Sequence, residues 1–324
     1  MSQLLWTQKE DIGPAARSKV AMAYDTGQRR ILLFGGLASD NSTISKDTWE
    51  WDGESWTQFA DIGPSARSQH AMAYDSKRQR IVLFGGAGGN NAATYLNDTW
   101  EWDGKDWTQM ADTGPSPRAG AAMDFDSKRE RVLLFGGNNA GNSFGDTWAW
   151  NGVDWTMEQD TGPPARTQHG LAYDSGRDRI VLFSGMGFSQ QFVTETVRDS
   201  GISGFFGGTH TETRTVTQLQ FFNDTWEYDG VLWTRVADTG PQPRSGGGLV
   251  YNGKTCLLFG GKDNSRVFGD TWQWDGKHWT ERQDIGPGAR AFAGTAYDSI
   301  RDRVVVFGGS GATVFGDTWE ASER

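Results

Sequence analysis

One pattern decides the fold, and its fullest copy is Asp98-Thr99-Trp100-Glu101-Trp102-Asp103-Gly104-Lys105-Asp106-Trp107. In this copy Trp100 and Trp102 lie on one side of an alternating run and Glu101 on the other, as in a β-strand. Asp103-Gly104 suits the positive backbone angles of a tight hairpin that leads to a second strand. The pattern therefore predicts two antiparallel strands, and further copies begin at Asp47, Asp146, Asp224, Asp270 and Asp317.

The last copy is cut short by the end of the sequence. It stops soon after Asp317-Thr318-Trp319-Glu320, before any Asp-Gly turn or final tryptophan. The missing part is found at the other end, as Leu5-Trp6-Thr7-Gln8. We expect these two ends to pair and close the repeat array, because pairing them leaves no open strand edge.

Repeat units of about fifty residues fill the chain. The Gly-Pro pairs that mark them begin at residues 13, 63, 114, 162, 240 and 286, so successive units are 50, 51, 48, 78 and 46 residues apart. Each unit also contains two short apolar runs bounded by turn residues, such as His70–Tyr74 and Ile81–Phe84. Runs of this length are typical of strands rather than helices. Four sequential antiparallel strands per unit predict a β-propeller.

The paired glycines (for example Gly85-Gly86), the aromatic strand that follows them and the final tryptophan resemble kelch repeats. The resemblance covers essentially the whole chain and implies an all-β, six-bladed propeller of four-stranded antiparallel blades. It also implies that the first strand of each blade is innermost, and that Leu4–Gln8 completes the last blade as its outer strand. We expect residues 1–324 to form a single domain, with the tryptophans packed between blades.

Composition and charge restrict the function classes. The net charge of -10 over 324 residues disfavours nucleic-acid binding. The chain has one cysteine, Cys256, so it cannot form an internal disulfide. The first residues lack the pattern of a signal peptide, and no apolar run reaches membrane length. We therefore expect a cytoplasmic monomer that needs no membrane, cofactor or metal.

The fourth unit carries an insertion at about residues 186–223, within the loop between its second and third strands. Gln190–Val197 and Thr211–Phe222 are rich in Thr, Val and Phe, which predicts a β-hairpin arm. The glycine-rich segment between them places Phe205 and Phe206 at the tip. Long loops in compact domains are often binding arms. Phe205, Phe206 and His210 are therefore candidate ligand-binding residues, although the arm could also be a passive decoration.

An arginine follows each Gly-Pro by three residues. Because each one begins an innermost strand, the six should lie at one end of the propeller and could attract carboxylate or phosphate groups. Kelch domains that bind acidic peptides use arginines at similar positions, which supports this role by resemblance. The alternative is structural, with each arginine paired to the Asp at the head of the third strand. The candidate ligand-binding arginines are Arg17, Arg67, Arg118, Arg166, Arg244 and Arg290.

The residues after each arginine differ between units. Lys19, Gln69 and Gln168 make one part of the ring polar, whereas other units offer glycine or alanine. Such asymmetry suits a single ligand, so we expect a binding module that holds a protein partner or an anionic small molecule. The alternative is an enzyme of the isomerase, lyase or mutarotase type acting in the central pocket. His70 and His169 would be its acid–base residues, because histidine titrates near neutral pH.

Other catalytic or metal-binding patterns are weak. Cys256 lies within an apolar strand and is expected in the core rather than at a copper site. Glu195 and Asp199 have the four-residue spacing of iron ligands in plant specifier proteins of this fold, but Ser203 stands where their histidine should be.

Overall fold

The computed structural model describes residues 4–9, 12–59, 62–88, 94–198, 209–282 and 285–323, although the side chains of 189–191, 197–198 and 209 are excepted. These residues form strands and turns, and none lies in an α-helix. The part of the chain described here thus contains no helix able to span a membrane. The predicted all-β fold is confirmed.

The strands of the first half, in chain order, are β1 (Leu4–Gln8), β2 (Arg17–Ser18), β3 (Ala21–Asp25), β4 (Arg30–Phe34), β5 (Leu37–Ala38), β6 (Thr48–Trp51), β7 (Trp56–Gln58), β8 (Arg67–Ser68), β9 (Ala71–Asp75), β10 (Arg80–Gly88), β11 (Thr94–Trp102), β12 (Trp107–Ala111), β13 (Ala122–Asp126), β14 (Arg131–Phe135), β15 (Thr147–Trp150) and β16 (Trp155–Gln159). Those of the second half are β17 (Gly170–Asp174), β18 (Arg179–Phe183), β19 (Met186–Arg198), β20 (Thr209–Phe221), β21 (Thr225–Tyr228), β22 (Trp233–Ala237), β23 (Gly248–Tyr251), β24 (Cys256–Phe259), β25 (Thr271–Trp274), β26 (Trp279–Arg282), β27 (Gly294–Asp298), β28 (Arg303–Phe307) and β29 (Thr318–Glu323).

Most of these strands form antiparallel sheets of four sequential strands. Sheet 1 is β3-β4-β6-β7, sheet 3 is β13-β14-β15-β16, sheet 4 is β17-β18-β21-β22, and sheet 5 is β23-β24-β25-β26. Sheet 2 is β9-β10-β11-β12, with the short β8 also paired to β10. Sheet 6 is β27-β28-β29-β1. The prediction of repeated four-stranded antiparallel units is confirmed to this extent.

Sheet 6 joins the two ends of the chain. The N-terminal strand pairs antiparallel with β29 over five residues, from Leu4 opposite Glu323 to Gln8 opposite Trp319. In this register Trp6 lies opposite Ala321. Its ring packs against Phe259 of sheet 5, with the ring centroids 5.1 Å apart.

The hydrophobic core is divided into clusters, each of which lies between two consecutive sheets. One cluster, for example, packs Trp51 and Trp56 of sheet 1 against Val305 and Phe307 of sheet 6. Equivalent clusters join sheets 1 and 2, 2 and 3, 3 and 4, 4 and 5, and 5 and 6. This propeller-like packing uses the tryptophans between sheets, as expected.

The first strands of the sheets surround a common space, here called the central channel. Each first strand contacts the next, in the order β3, β9, β13, β17, β23, β27 and back to β3. Since the strands alternate in direction, the loops that enter the first strands lie at one end of the channel. The hairpins that leave them lie at the other end.

Candidate binding site at the channel entrance

The repeated arginines are buried inside the sheets rather than exposed around the channel. Arg166 is representative: its guanidinium donates from Nη1 and Nη2 to the two carboxylate oxygens of Asp224, at 2.7 and 2.9 Å. The other arginines make the same paired contact with the Asp at the head of the third strand. This geometry supports the structural alternative, and a ligand-binding role of the arginines stays a prediction, although their guanidinium groups are buried.

Two backbone carbonyls accept further hydrogen bonds from each guanidinium. Arg166 donates from Nε to the Pro164 carbonyl at 3.1 Å and from Nη1 to the Ser184 carbonyl at 2.9 Å. The ring of Phe222 lies 4.0 Å from the guanidinium carbon and covers one face. Phe144, Phe268 and Phe315 cover three further arginines in the same way. Each pair is thus a bidentate, desolvated ion pair that ties the first strand to the third.

Two residues beyond each arginine, a ring of backbone hydrogen bonds surrounds the channel entrance. Each N–H donates to the carbonyl of the equivalent residue in the preceding sheet, and the first donates to the last, over 2.7–2.9 Å. We call this ring the collar, and its members are Lys19, Gln69, Gly120, Gln168, Gly246 and Phe292. The collar uses the amide groups of its members, so only their side chains remain to contact a ligand.

Four members of the collar carry a side chain although their backbone adopts a conformation that favours glycine. The φ angles of Lys19, Gln69, Gln168 and Phe292 lie between 56° and 60°, close to the 67° of the two collar glycines. A non-glycine residue in this left-handed region costs roughly 1 kcal/mol or more. Since glycine would satisfy the same backbone ring, these four side chains are retained despite a cost in stability. Seven other described non-glycine residues also have positive φ angles, so the strain supports a functional surface only together with the side chains that the collar presents to the channel.

Two positive charges lie close to Phe292, one from the collar residue Lys19 and one from Lys262 beside the collar. The ammonium groups of Lys19 and Lys262 each lie 5.9 Å from the centre of the Phe292 ring. Burial lowers the pKa of Lys19, and the charge of Lys262 lowers it further. Within the described residues, no carboxylate forms an ion pair with either lysine. Two mutually repelling cations beside an aromatic ring are a suitable site for an anionic group.

The two candidate acid–base histidines lie between sheets and are almost fully buried. The rings of His70 and His169 pack edge-on against Phe34 and Phe135, with centroids 5.5 and 5.3 Å apart. Their ring nitrogens have no hydrogen-bond partner among the described atoms. Burial lowers the pKa of both to about 3, and the charges of Arg67 and Arg166 add to the shift. Neutral, enclosed rings are poorly suited to proton exchange near neutral pH, so the expected catalytic role does not fit this geometry.

The insertion forms a hairpin beside the collar. Its strands β19 and β20 pair along their whole length, from Met186 opposite Phe221 to Arg198 opposite Thr209. The base is fixed by reciprocal backbone hydrogen bonds between Met186 and Thr167, the neighbour of Gln168 in the collar. The arm therefore extends from the same end of the channel as the collar.

One face of this arm carries exposed apolar side chains. Phe188 lies opposite Leu219, and Phe192 lies on the same face. The exposed fraction is 63% for Phe188, 45% for Leu219 and 78% for Phe192. The predicted tip residues Phe205 and Phe206 lie outside the described residues. His210 is exposed and its Nε2 lies 3.0 Å from Glu212. The arm thus offers aromatic contacts along its length.

The described residues give no support to a metal-binding site or to a reactive thiol at Cys256. Groups of three or more potential ligands that could hold a metal are not found among the described residues. Glu195 is paired with Arg214 at 2.7 Å, and Asp199 and Ser203 lie outside the described part of the chain. Cys256 is fully buried, and burial raises its thiol pKa well above the usual value.

Sequence reasoning missed two members of the site. Phe292 is not among the predicted binding residues, although it occupies the same position as Lys19 and Gln69. Lys262 lies in a loop after a Gly-Gly pair, 18 residues beyond Arg244, and no sequence signal connects it to Lys19. Alignment of the repeats could have identified Phe292, but only folding brings Lys262 to the collar.

Comparison with protein-family models supports the repeat assignment. The model described as the KLHDC2/KLHL20/DRC7 Kelch-repeats domain matches residues 1–149. Residues 1–149 are thus similar to kelch repeats. Kelch repeats generally mediate protein–protein interaction. A comparison with curated proteins found no match.

Proposed function

We propose that this chain is a six-bladed kelch propeller, closed by its N-terminal strand, that holds a protein partner at the collar. The collar itself carries the proposal, since four strained positions keep side chains where glycine would be the easier choice. The closed cycle of collar hydrogen bonds and the pairing of β1 with β29 support the ring and a single domain.

The charge pattern indicates the chemistry of the partner. Lys19 and Lys262 present positive charge beside Phe292, and the six arginines add none because their aspartates neutralise them. A partner segment with a carboxylate next to an apolar group would meet both features. Gln69 and Gln168 supply donors and acceptors on another part of the collar.

The arm extends the same binding face. Phe188, Phe192 and Leu219 present apolar surface near the collar, and a partner that covers them buries surface worth about 25 cal/mol per Å². Aromatic residues are common anchors of protein interfaces. The arm therefore acts as a clamp on a partner already held at the collar.

Charge reversal at the collar tests the proposal. Lys19→Glu combined with Lys262→Glu should abolish binding of a glutamate-rich octapeptide in fluorescence polarisation. The glutamine version of that peptide should bind neither the variant nor the wild type. Proteins captured from cell extract by the wild type should likewise be lost from the variant.

Two further variants make this test specific. Lys105→Glu with Lys277→Glu applies the same charge change to exposed turns at the opposite end of the sheets and should preserve binding. Replacing residues 188–221 by a short Gly-Ser turn should weaken capture of protein partners without affecting the octapeptide. Equal binding by the collar variant, at an unchanged melting temperature, would contradict the proposal.

A further inference from the structure

A second pocket lies at the opposite end of the central channel from the collar. It has a volume of about 330 Å³ and is lined by the distal parts of the first strands and the hairpins that follow them. This volume is at the small end of the usual range for ligand sites, about 300–1,000 Å³. Met22, Met72 and Met123 lie at its inner end. The pocket shares none of the lysines of the collar.

One lining residue, Asp124, carries a charge. The equivalent positions of the other first strands hold Ala23, Ala73, Ala172, Val250 and Ala296. Asp124 is therefore a departure from the repeat rather than part of it. A residue that every other unit replaces by an apolar side chain is not required to build the strand, so its presence calls for a local explanation.

The carboxylate is fixed by backbone groups but keeps an accessible side. One oxygen accepts from the N–H of Phe125 and the other from the N–H of Tyr173, both at 2.7 Å. Each carboxylate oxygen can accept a further hydrogen bond. Asp124 is only partly buried, and it lines the pocket. Burial nevertheless raises the pKa of Asp124 to about 6, with the charge of Asp126 as a further cause. Among the residues that the structure describes, no cation pairs with this carboxylate.

Aromatic rings surround this carboxylate. The pocket is lined by Tyr74, Phe125, Tyr173, Tyr251 and Tyr297. Several of the hydroxyl groups are held by the turns: Tyr173 donates to Asp178 at 3.0 Å, and Tyr297 donates to Asp302 at 2.9 Å. These hydrogen bonds fix the rings beside the pocket, where their faces can interact with a cation.

We infer that this end of the channel binds a small organic cation that carries at least one N–H, with Asp124 as its anionic partner. A carboxylate supplies the ion pair and accepts the N–H, and the rings and methionines enclose the alkyl part. A metal ion is a poorer match, because the lining hydroxyl groups are neutral and Asp124 is its one carboxylate, and no group of three metal-ligating residues is found among the described residues. The negative net charge of the chain also favours a cation.

Binding of simple amines tests this inference. Propylammonium should bind the intact protein saturably in calorimetry above pH 7, where Asp124 is ionised. Neutral 1-propanol should not bind, and tetramethylammonium should bind more weakly because it has no N–H. In carbon-detected NMR, propylammonium should lower the pKa of the Asp124 carboxyl group, which places the charge beside this residue.

Two substitutions at Asp124 and one matched control complete the design. Asp124→Asn keeps the size of the side chain and should weaken propylammonium binding about tenfold or more, equivalent to roughly 1.4 kcal/mol. Asp124→Ala introduces the residue found at Ala23 and Ala73, and should have the same effect. Asp106→Asn removes one exposed carboxylate from an outer turn and should leave the affinity unchanged.

Three results would overturn the inference. The first is no saturable binding of propylammonium by the wild type. The second is unchanged affinity in Asp124→Asn or Asp124→Ala when these variants melt like the wild type. The third is tetramethylammonium binding as tightly as propylammonium. The collar plays no part in these measurements, so they are independent of the proposed protein-binding function.

Discussion

The arginine layer and the collar lie two residues apart in every repeat, yet they are built on opposite principles. The arginines are identical in all units and each is neutralised by its own aspartate. The collar keeps the same backbone conformation throughout but changes its side chain from unit to unit. In this protein, the charged pairs that recur in every repeat therefore stabilise the fold. The charge available to a ligand lies where the repeat varies.

Both regions depend on the ring closure proposed above, so the largest effect should come from removing β1, the strand that pairs with β29. Deletion of residues 1–9 removes Leu4 and Trp6 from their packing and exposes the edge of β29. Leu4 is buried and Trp6 is partly buried. Loss of a buried leucine alone costs roughly 2–5 kcal/mol, against a typical total stability of about 5–15 kcal/mol. We expect a sharp fall in melting temperature, measured by calorimetry, and strand-exchange association measured by light scattering.

Deletion of residues 1–3 alone is the control, because these residues precede the paired strand. This shorter deletion should melt within about 2 °C of the full chain, since surface changes are usually worth under about 0.5 kcal/mol. If the longer deletion also melts like the full chain, the proposed closure is wrong.

Breaking one arginine–aspartate pair should have the next largest effect. Arg166→Ala leaves the carboxylate of Asp224 buried, with the indole of Trp226 as its remaining side-chain donor at 2.7 Å. Loss of one member of a buried ion pair costs about 3–5 kcal/mol. Urea unfolding should detect this loss in the free energy of unfolding.

Lys262, which lies beside the collar residue Phe292, provides the contrasting cation. Lys262→Ala removes an exposed charge and should change the free energy of unfolding by less than about 0.5 kcal/mol. A similar cost for Lys262→Ala and Arg166→Ala would remove the distinction between the two regions.

The buried histidines predict that the free energy of unfolding depends on pH, with an effect of intermediate size. The pKa of His169 is about 3 in the folded protein, below the ordinary value of 6.5, so the unfolded chain binds the proton more strongly. The stability contributed by neutral His169 is therefore present above pH 6.5 and is lost as the pH falls towards 3. Between these limits each such histidine should cost about 1.4 kcal/mol per pH unit.

His169→Ala isolates this effect, because Ala121 and Ala293 hold the same position in other sheets. The difference in free energy of unfolding between wild type and variant should shrink as the pH is lowered from 7 to 5. Asp124 has a raised pKa and changes stability in the opposite direction, but it is present in both proteins and cancels. A difference that is constant with pH would show that His169 is not held neutral.

The strands were predictable from sequence because each repeat carries its own turn residues and alternating aromatic pattern. The specific contacts between sheets were not predicted: Trp150 donates to Glu101 of the preceding sheet, and where Ala149 replaces that glutamate, Tyr228 replaces the next tryptophan. The direction of the arginine side chains was not readable, since a repeated arginine suits both an ion pair and a ligand site. The collar is a property of backbone angles, which a sequence of Lys, Gln, Gly and Phe does not reveal.

The smallest effect should come from relieving the strain of the collar. Gln69 has a φ of 56°, and Gly120 and Gly246 show that glycine fits the same ring. Gln69→Gly should leave the free energy of unfolding unchanged or raise it by up to about 1 kcal/mol, because relief of strain offsets the greater entropy of the unfolded chain. Gln58→Gly, at an exposed position of strand β7, should instead destabilise by roughly 0.5–1 kcal/mol. Urea unfolding of the two variants measures the contrast, and partner binding should weaken only in Gln69→Gly. If both substitutions destabilise equally, the side chain at the collar is not held against strain, and the main reason for placing function there disappears.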